Sequence, residues 1–155
     1  MAGAREPAEY PLGPALDFLQ RLWRLEHALA RLSRRMERRL GITAQQRLVI
    51  RCVGTYPGLS PGQLAAILHV DPGTVSAALR RLERHGLVER RRDHLDSRRV
   101  ALGLTRRGRA LDVPTAGTVE EAVEQLLRAS SRAEAAAAVA VIERFTALVD
   151  ESAGP

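Results

Sequence analysis

Residues 59–93, LSPGQLAAILHVDPGTVSAALRRLERHGLVERRRD, decide how this chain folds. Ser60-Pro-Gly-Gln63 has the form of a capping box, with a hydroxyl at the N-cap and an amide three residues later. Pro61 takes the first helical position, where its missing N–H costs nothing. Asp71 followed by Pro72 opens a second helix almost at once, so helices over 61–68 and 72–85 are joined by the tight turn His69-Val70-Asp71. Gly86 supplies the left-handed position at which the second helix stops. Val75, Ala78, Leu79 and Leu82 form its inner face, while Gly73, Thr74, Ser76, Ala77, Arg80, Arg81 and Arg84 point elsewhere. Small residues at its start permit close approach to another surface. The arginines further along suit phosphates or guanine edges, and a helix of this kind fits the major groove of B-DNA.

Downstream, 87–92 and 99–104 alternate as two short strands, with Val100, Leu102 and Leu104 on one face and the polar turn 93–98 between them. Arg90, Arg91, Arg92, Arg98 and Arg99 lie in or beside this hairpin. An arginine at a hairpin tip can enter the narrow, electronegative minor groove. Asp96, two residues before Arg98, is close enough to hold the guanidinium in one orientation.

Upstream, a helix is expected over 14–40, with Leu22, Leu25, Leu29, Leu32 and Met36 forming one apolar stripe. Thr43-Ala-Gln-Gln46 is a further capping box and starts a helix over 44–54. Beyond the hairpin the helical pattern returns and is broken by Pro114 and Gly117. Helices over 119–129 and 132–149 follow, each opened by a box of its own, Thr118–Glu121 and Ser131–Glu134. Residues 1–11 are expected to be loosely ordered. The fold expected is mainly α with a small β-hairpin: a winged helix-turn-helix core over 41–108, an N-terminal arm and dimerisation helix over 1–40, and C-terminal dimerisation helices over 109–155. The stripe of the first helix, with Val139, Ile142, Phe145 and Val149 of the last, exceeds what so small a core can cover, so a homodimer is expected.

Charge supports a polyanionic partner. All 24 basic side chains are Arg, and the formal net charge is +6. Residues 80–109 hold 11 Arg against four acids, whereas residues 110–155 hold three Arg against eight acids. A local block of that sign is the footprint of nucleic-acid binding. The alternative is a winged-helix module that docks proteins and does not touch DNA. Aromatics make up 3% of the chain, so the core must be aliphatic. Cys52 is the single cysteine, which excludes an intrachain disulfide, and its helical position places it with the core. No secretory pattern is present, and the longest apolar run, Ala135 to Ile142, is far below the ~18 residues that span a bilayer. A cytoplasmic protein with no membrane partner is expected. His27, His69, His85 and His94 are scattered, so no metal and no cofactor is expected. No phosphate loop, nucleophile elbow or paired-carboxylate motif points to an enzyme.

Residues 43–111 resemble the DNA-binding core of the MarR family of winged helix-turn-helix transcriptional regulators. The resemblance is carried by LSPGQLAAILHVDPGTVSAALRRLERHGLVERRRD and by DSRRVALGLTRRGRAL at residues 96–111. It implies a dimer built from the first and last helices that binds double-stranded DNA at a pseudo-palindromic operator, and repression relieved by a small-molecule effector. By position, Thr74, Ser76, Ala77 and Arg80 would face the major groove, Ser60, Pro61 and Gly62 would meet the backbone, and Arg98 would be the wing-tip arginine. An effector pocket would lie near Trp23, His27 or Tyr56. Two features depart from the family pattern. Position 77 is Ala where many members carry a basic residue, and Pro114 and Gly117 interrupt what is usually one continuous helix.

Overall fold

The structure is a computed structural model, and it describes residues 12–92 and 100–154. Helix α1 (Pro14–Leu40) has Pro14 at its first turn and ends at Gly41, whose left-handed backbone (φ 73°) lets its N–H donate to the Glu37 carbonyl. α2 (Ala44–Thr55) and α3 (Pro61–Leu68) both start with complete capping boxes, Thr43 with Gln46 and Ser60 with Gln63. α4 (Pro72–Arg84) is capped by Asp71. Strands β1 (Val88–Arg92) and β2 (Val100–Leu104) pair antiparallel, with Val88 opposite Leu104 and Arg90 opposite Leu102. Next come α5 (Arg106–Leu111), α6 (Val119–Ala129) and α7 (Arg132–Ala153). The order is as the sequence predicts. α2 and α7 run one and four residues longer than expected, α4 ends one residue earlier with His85 as its cap, and each strand starts one residue later.

The core is one aliphatic cluster. Ile42 and α2 contribute Val49, Ile50 and Val53, α3 contributes Leu64 and Ala65, α4 contributes Val75, Leu79 and Leu82, and the hairpin contributes Leu87, Val88, Leu102 and Leu104. Each large side chain so buried stabilises by roughly 1.5–3 kcal/mol. Cys52 packs against this cluster, and burial pushes its thiol above its ordinary pKa. The loop before α3 joins the sheet through two bonds to Leu102. Gly58 N–H donates to the Leu102 carbonyl (3.0 Å), and Leu102 N–H donates to the Leu59 carbonyl (2.7 Å). The hairpin is thereby anchored on both sides, by β1–β2 pairing and by the segment that leads into the helix-turn-helix.

α5 closes the core from behind. Thr105 caps it, its hydroxyl accepting from Gly108 N–H at 3.0 Å and donating to the Gly86 carbonyl at 2.7 Å. Gly108 lies so close to Leu87 that a Cβ there would sit 2.0 Å from the Leu87 carbonyl oxygen. The Leu-Thr-Arg-Arg-Gly stretch at 104–108 therefore has a packing role at its Thr and its Gly. The end of α5 is held by Arg47, the largest fully buried side chain, whose guanidinium donates to the carbonyls of Leu111 and Val113, both at 2.7 Å. Leu111 is the last residue of α5 and Val113 lies two beyond it, where carbonyls run out of intrahelical donors, and the buried guanidinium serves them. Beside it Arg51 pairs with Asp112 at 2.6 Å, and the Asp112 carboxylate lies over Gly54, where a Cβ would come within 1.9 Å of it. Among the described residues every buried side-chain polar atom has a hydrogen-bond partner.

The boundary between two compact units falls between Val113 and Pro114. In the second unit Thr118 is buried and caps α6, accepting from Glu121 N–H and donating to the Thr115 carbonyl. The full capping box expected at Thr118–Glu121 does not form. The Glu121 carboxylate reaches one residue further back, to Gly117 N–H (2.5 Å), because the left-handed backbone at Gly117 (φ 68°) turns that N–H toward the helix start. The break foreseen at Pro114 and Gly117 is thus a structured turn. Ser131 and Glu134 form the complete box expected of them. No described residue of α6 or α7 is buried, and Val123, Leu126, Leu127, Val139, Ile142, Phe145, Leu148 and Val149 all stand exposed. No described helix is long and apolar enough to cross a membrane.

Candidate nucleic-acid interface

α4 is fixed from within and free without. Val75, Leu79 and Leu82 are sealed into the core, which sets the rotation of the helix. That rotation leaves Gly73, Thr74, Ala77, Arg80, Arg81 and Arg84 exposed and Ser76 half-buried at the edge of the outer face. The turn that aims α4 is strained at one residue. His69 adopts the left-handed conformation (φ 51°) at the end of α3, a position where glycine is usual.

The two helix starts share a pattern, Ser60-Pro-Gly-Gln63 and Asp71-Pro-Gly-Thr74, but differ in charge. At α4 the Asp71 carboxylate accepts from Thr74 N–H at 2.8 Å and from the Thr74 hydroxyl. Those two bonds, the hydroxyl first, hold the Asp71 carboxyl below the usual carboxylate range. The hydroxyl proton of Thr74 is therefore engaged, and its methyl group and lone pairs are what the residue presents outward. At α3 the cap is a neutral hydroxyl. Ser60 accepts from Gln63 N–H and the Gln63 amide oxygen accepts from Ser60 N–H, which among the described residues leaves Gly62 N–H as the open donor of the first turn. A Cβ at Gly62 would meet nothing. A helix N-terminus with an uncommitted N–H, no capping carboxylate and no side chain in the way favours a phosphate oxygen.

Arg80, Arg81 and Arg84 also line one side of an open cleft of about 990 Å³, whose other side is the start of α2, with Thr43, Gln45 and Gln46. Sequence reasoning did not include these α2 residues, although the Thr43 capping box was the signal that a helix N-terminus stood there. Arg90 leaves β1 to pair with Glu83 of α4 at 2.5 Å, tying the strand to the helix. Arg91 pairs with Glu89 across its own strand face. Asp96, Arg98 and Arg99, the expected wing-tip group, lie outside the described residues.

Of the expected effector residues, Trp23 and His27 come together on α1. His27 Nδ1 donates to the Trp23 carbonyl at 2.9 Å and the rings lie 6.0 Å apart. Both are exposed, in a shallow hollow of about 380 Å³ shared with Gln20, Arg24 and Arg31. Tyr56 caps the far end of α2 and is exposed there, apart from the residues of that hollow. Among the described residues no group of three or more His, Cys, Asp or Glu side chains could hold a metal.

Two capped helices crossing through a tight turn, backed by a hairpin, define a winged helix-turn-helix protein. Residues 42–100 match the model of the MarR family. It is 38% identical over 85 residues to the HTH-type transcriptional regulator TtmR of Methylorubrum extorquens, covering 55% of this chain and 44% of that protein. The chain thus spans about half the length of the curated relatives it matches. In structure it is similar to Staphylococcus aureus MepR in its DNA complex (TM-score 0.67, 26% identity, 86% of this chain and 97% of that one). It is similar also to the PcaV transcriptional regulator of Streptomyces coelicolor in complex with its natural ligand (TM-score 0.64, 27% identity, 94% and 97%).

Proposed function

We propose that this chain is a sequence-specific DNA-binding transcriptional regulator that acts as a homodimer. The observation that carries the proposal is the rotation of α4. Its apolar residues are locked inward while Gly73, Thr74, Ala77, Arg80 and Arg81 stand clear of the rest of the fold. In this account α4 enters the major groove. Thr74, Ser76 and Ala77 approach base edges through small groups, with Gly73 leaving room for them. Arg80 reads a guanine, and Arg81 and Arg90 contact phosphates. Ser60, Pro61 and Gly62 receive a phosphate at the open start of α3. Arg98, oriented by Asp96, enters the minor groove, with Arg99 on the flanking backbone.

The exposed apolar faces of α1 and of α6 and α7 support pairing of two copies, since patches of that extent mark association surfaces. A two-fold dimer would set the two α4 helices about one DNA turn apart, ~34 Å, on a pseudo-palindromic operator. Regulation is proposed to be repression, with release by a small ligand near Trp23 and His27. Support for the ligand is the hollow they share and the ligand complex of PcaV. The test is selection of bound sequences from random duplex DNA by the wild type and by Arg80→Ala. Wild type should enrich an inverted repeat, and the variant should lose the preference at one symmetric base pair. Enrichment of no sequence by the wild type would refute the function and leave the protein-docking alternative.

A further inference from the structure

Outside the helix-turn-helix, one side of α1 carries a row of exposed arginines. Arg24, Arg31, Arg35 and Arg38 recur at spacings of seven, four and three, which at 100° per residue keeps them within about 60° of arc. They run over ~21 Å of helix length, from the 1.5 Å rise per residue. All four are exposed, and none makes an ion pair among the described residues. The two acids in this part of the helix, Glu26 and Glu37, fall on the other side. Every cation of the chain is Arg, which accounts for the residue type in this row. It does not explain why acids are missing from the row.

We infer that this arginine row on α1 is a second nucleic-acid surface, which binds the phosphate backbone of duplex DNA without reading sequence and independently of α4. Stable protein interfaces have an apolar centre depleted of charge. His27 and Ala28 lie at the two edges of this arc, with Trp23 and Leu32 beyond them, and the arc itself is arginine throughout, so its centre is charged and a protein partner fits it poorly. Phosphate fits it well. A duplex presents one negative charge per ~1.7 Å of axis, and guanidinium groups bind phosphate oxygens in pairs. The side chains also frame a hollow of about 340 Å³, floored by Ala28 and Leu32 and ringed by Arg31, Arg34, Arg35 and Arg38, into which a backbone oxygen can descend between several donors. Such a surface would hold the protein on DNA during its search or grip a second segment of duplex. It adds to the proposed function and does not depend on α4 recognising a sequence.

The test separates the two surfaces. In the full chain, Arg80→Ala with Arg81→Ala removes the α4 arginines. Binding of this variant to a random-sequence duplex of about 30 base pairs is followed by anisotropy between ~50 and ~200 mM salt. Residual binding should remain and weaken steeply with salt. Adding Arg31→Gln, Arg35→Gln and Arg38→Gln should flatten the salt slope by about 2.7, which over that range is a ~40-fold change in affinity. The same three substitutions in the wild-type background should leave oligomeric state, measured by sedimentation, and the selected sequence unchanged. Absence of residual binding, or residual binding that the three substitutions do not alter, would overturn the inference. So would a shift to monomers, or displacement of the duplex by polyglutamate as effectively as by DNA. A failed sequence selection would count against the proposed function alone, because this binding is read without reference to any operator.

Discussion

Gly108→Ala puts the junction between the hairpin and α5 to a quantitative test. In a helix with open space the change would stabilise by up to about 1 kcal/mol, because alanine is the better helix former. Here the new Cβ would lie 2.0 Å from the Leu87 carbonyl oxygen and 3.4 Å from Leu104 Cβ. Both groups belong to the buried end of the hairpin, so neither can rotate away as a flexible side-chain tip would. Relief requires α5 to move by about 1 Å from Leu87, since Cβ contacts under 3 Å are essentially never seen. That shift breaks the Thr105 hydroxyl bond to Gly86 (2.7 Å) and the Thr105 N–H bond to Leu87 (3.1 Å), and it loosens Leu87 and Leu104 in the core. Two hydrogen bonds at about 1 kcal/mol each and a small packing defect give a net loss of ~3 kcal/mol. For a chain of this size such a loss lowers Tm by roughly 6–12 °C. Urea denaturation, with Gly62→Ala as a control where a Cβ meets nothing, reads the difference directly. A Gly108→Ala protein as stable as the Gly62→Ala protein would refute the reasoning about this contact.

Four further outcomes follow from the geometry. Gly62→Ala should keep or slightly raise stability yet weaken DNA binding several-fold in gel shifts, since a methyl group would obstruct the open N–H of α3; unchanged binding would remove the phosphate from that helix start. His69→Gly should raise stability by about 0.5–1 kcal/mol in thermal melts, because it relieves a left-handed residue at a net gain smaller than the strain itself. The Asp71 carboxyl is held low, so its capping contribution is present above the unfolded-state pKa and is lost as pH falls through the lower folded value. The Thr74 amide signal in an NMR titration should therefore shift with a midpoint below about 3.9, and a midpoint at or above that value would contradict the cap. Cys52, its thiol pushed up by burial, should alkylate more slowly at neutral pH than an exposed thiol, as read by mass spectrometry.

The legible part of this fold was the part written locally. A cap needs only its own residue and the one three positions on, so Thr43, Ser60 and Ser131 announced their helices, and Gly41 and Gly86 their ends. α4 could be oriented from Val75, Leu79 and Leu82 alone, because a 3.6-residue period fixes one face once the other is known. What escaped depended on partners far along the chain. Arg47 looks like any surface arginine of an amphipathic helix until Leu111 and Val113 arrive more than sixty residues later to bury it. The pairing of Gly58 and Leu59 with Leu102 has no local signature, and neither does the withdrawal of Arg90 toward Glu83. At Thr118 the local rule selected the right pair of residues. It missed the acceptor's target because the Gly117 conformation, set by the turn, offered a nearer N–H. In the candidate interface, the exposure of Thr74, Ala77, Arg80 and Arg81 agrees with the pattern; of the three residues named for an effector, Trp23 and His27 share a hollow and Tyr56 lies apart from it.

The placement of α4 in the wide groove is tested most directly by dimethyl sulfate footprinting of the wild-type protein on its selected duplex. Guanine N7 atoms face the major groove. Protection should fall in two symmetric clusters centred about 10 base pairs apart, and Arg80→Ala should restore reactivity at one guanine in each. Unprotected N7 atoms on a duplex that is demonstrably bound would contradict the account.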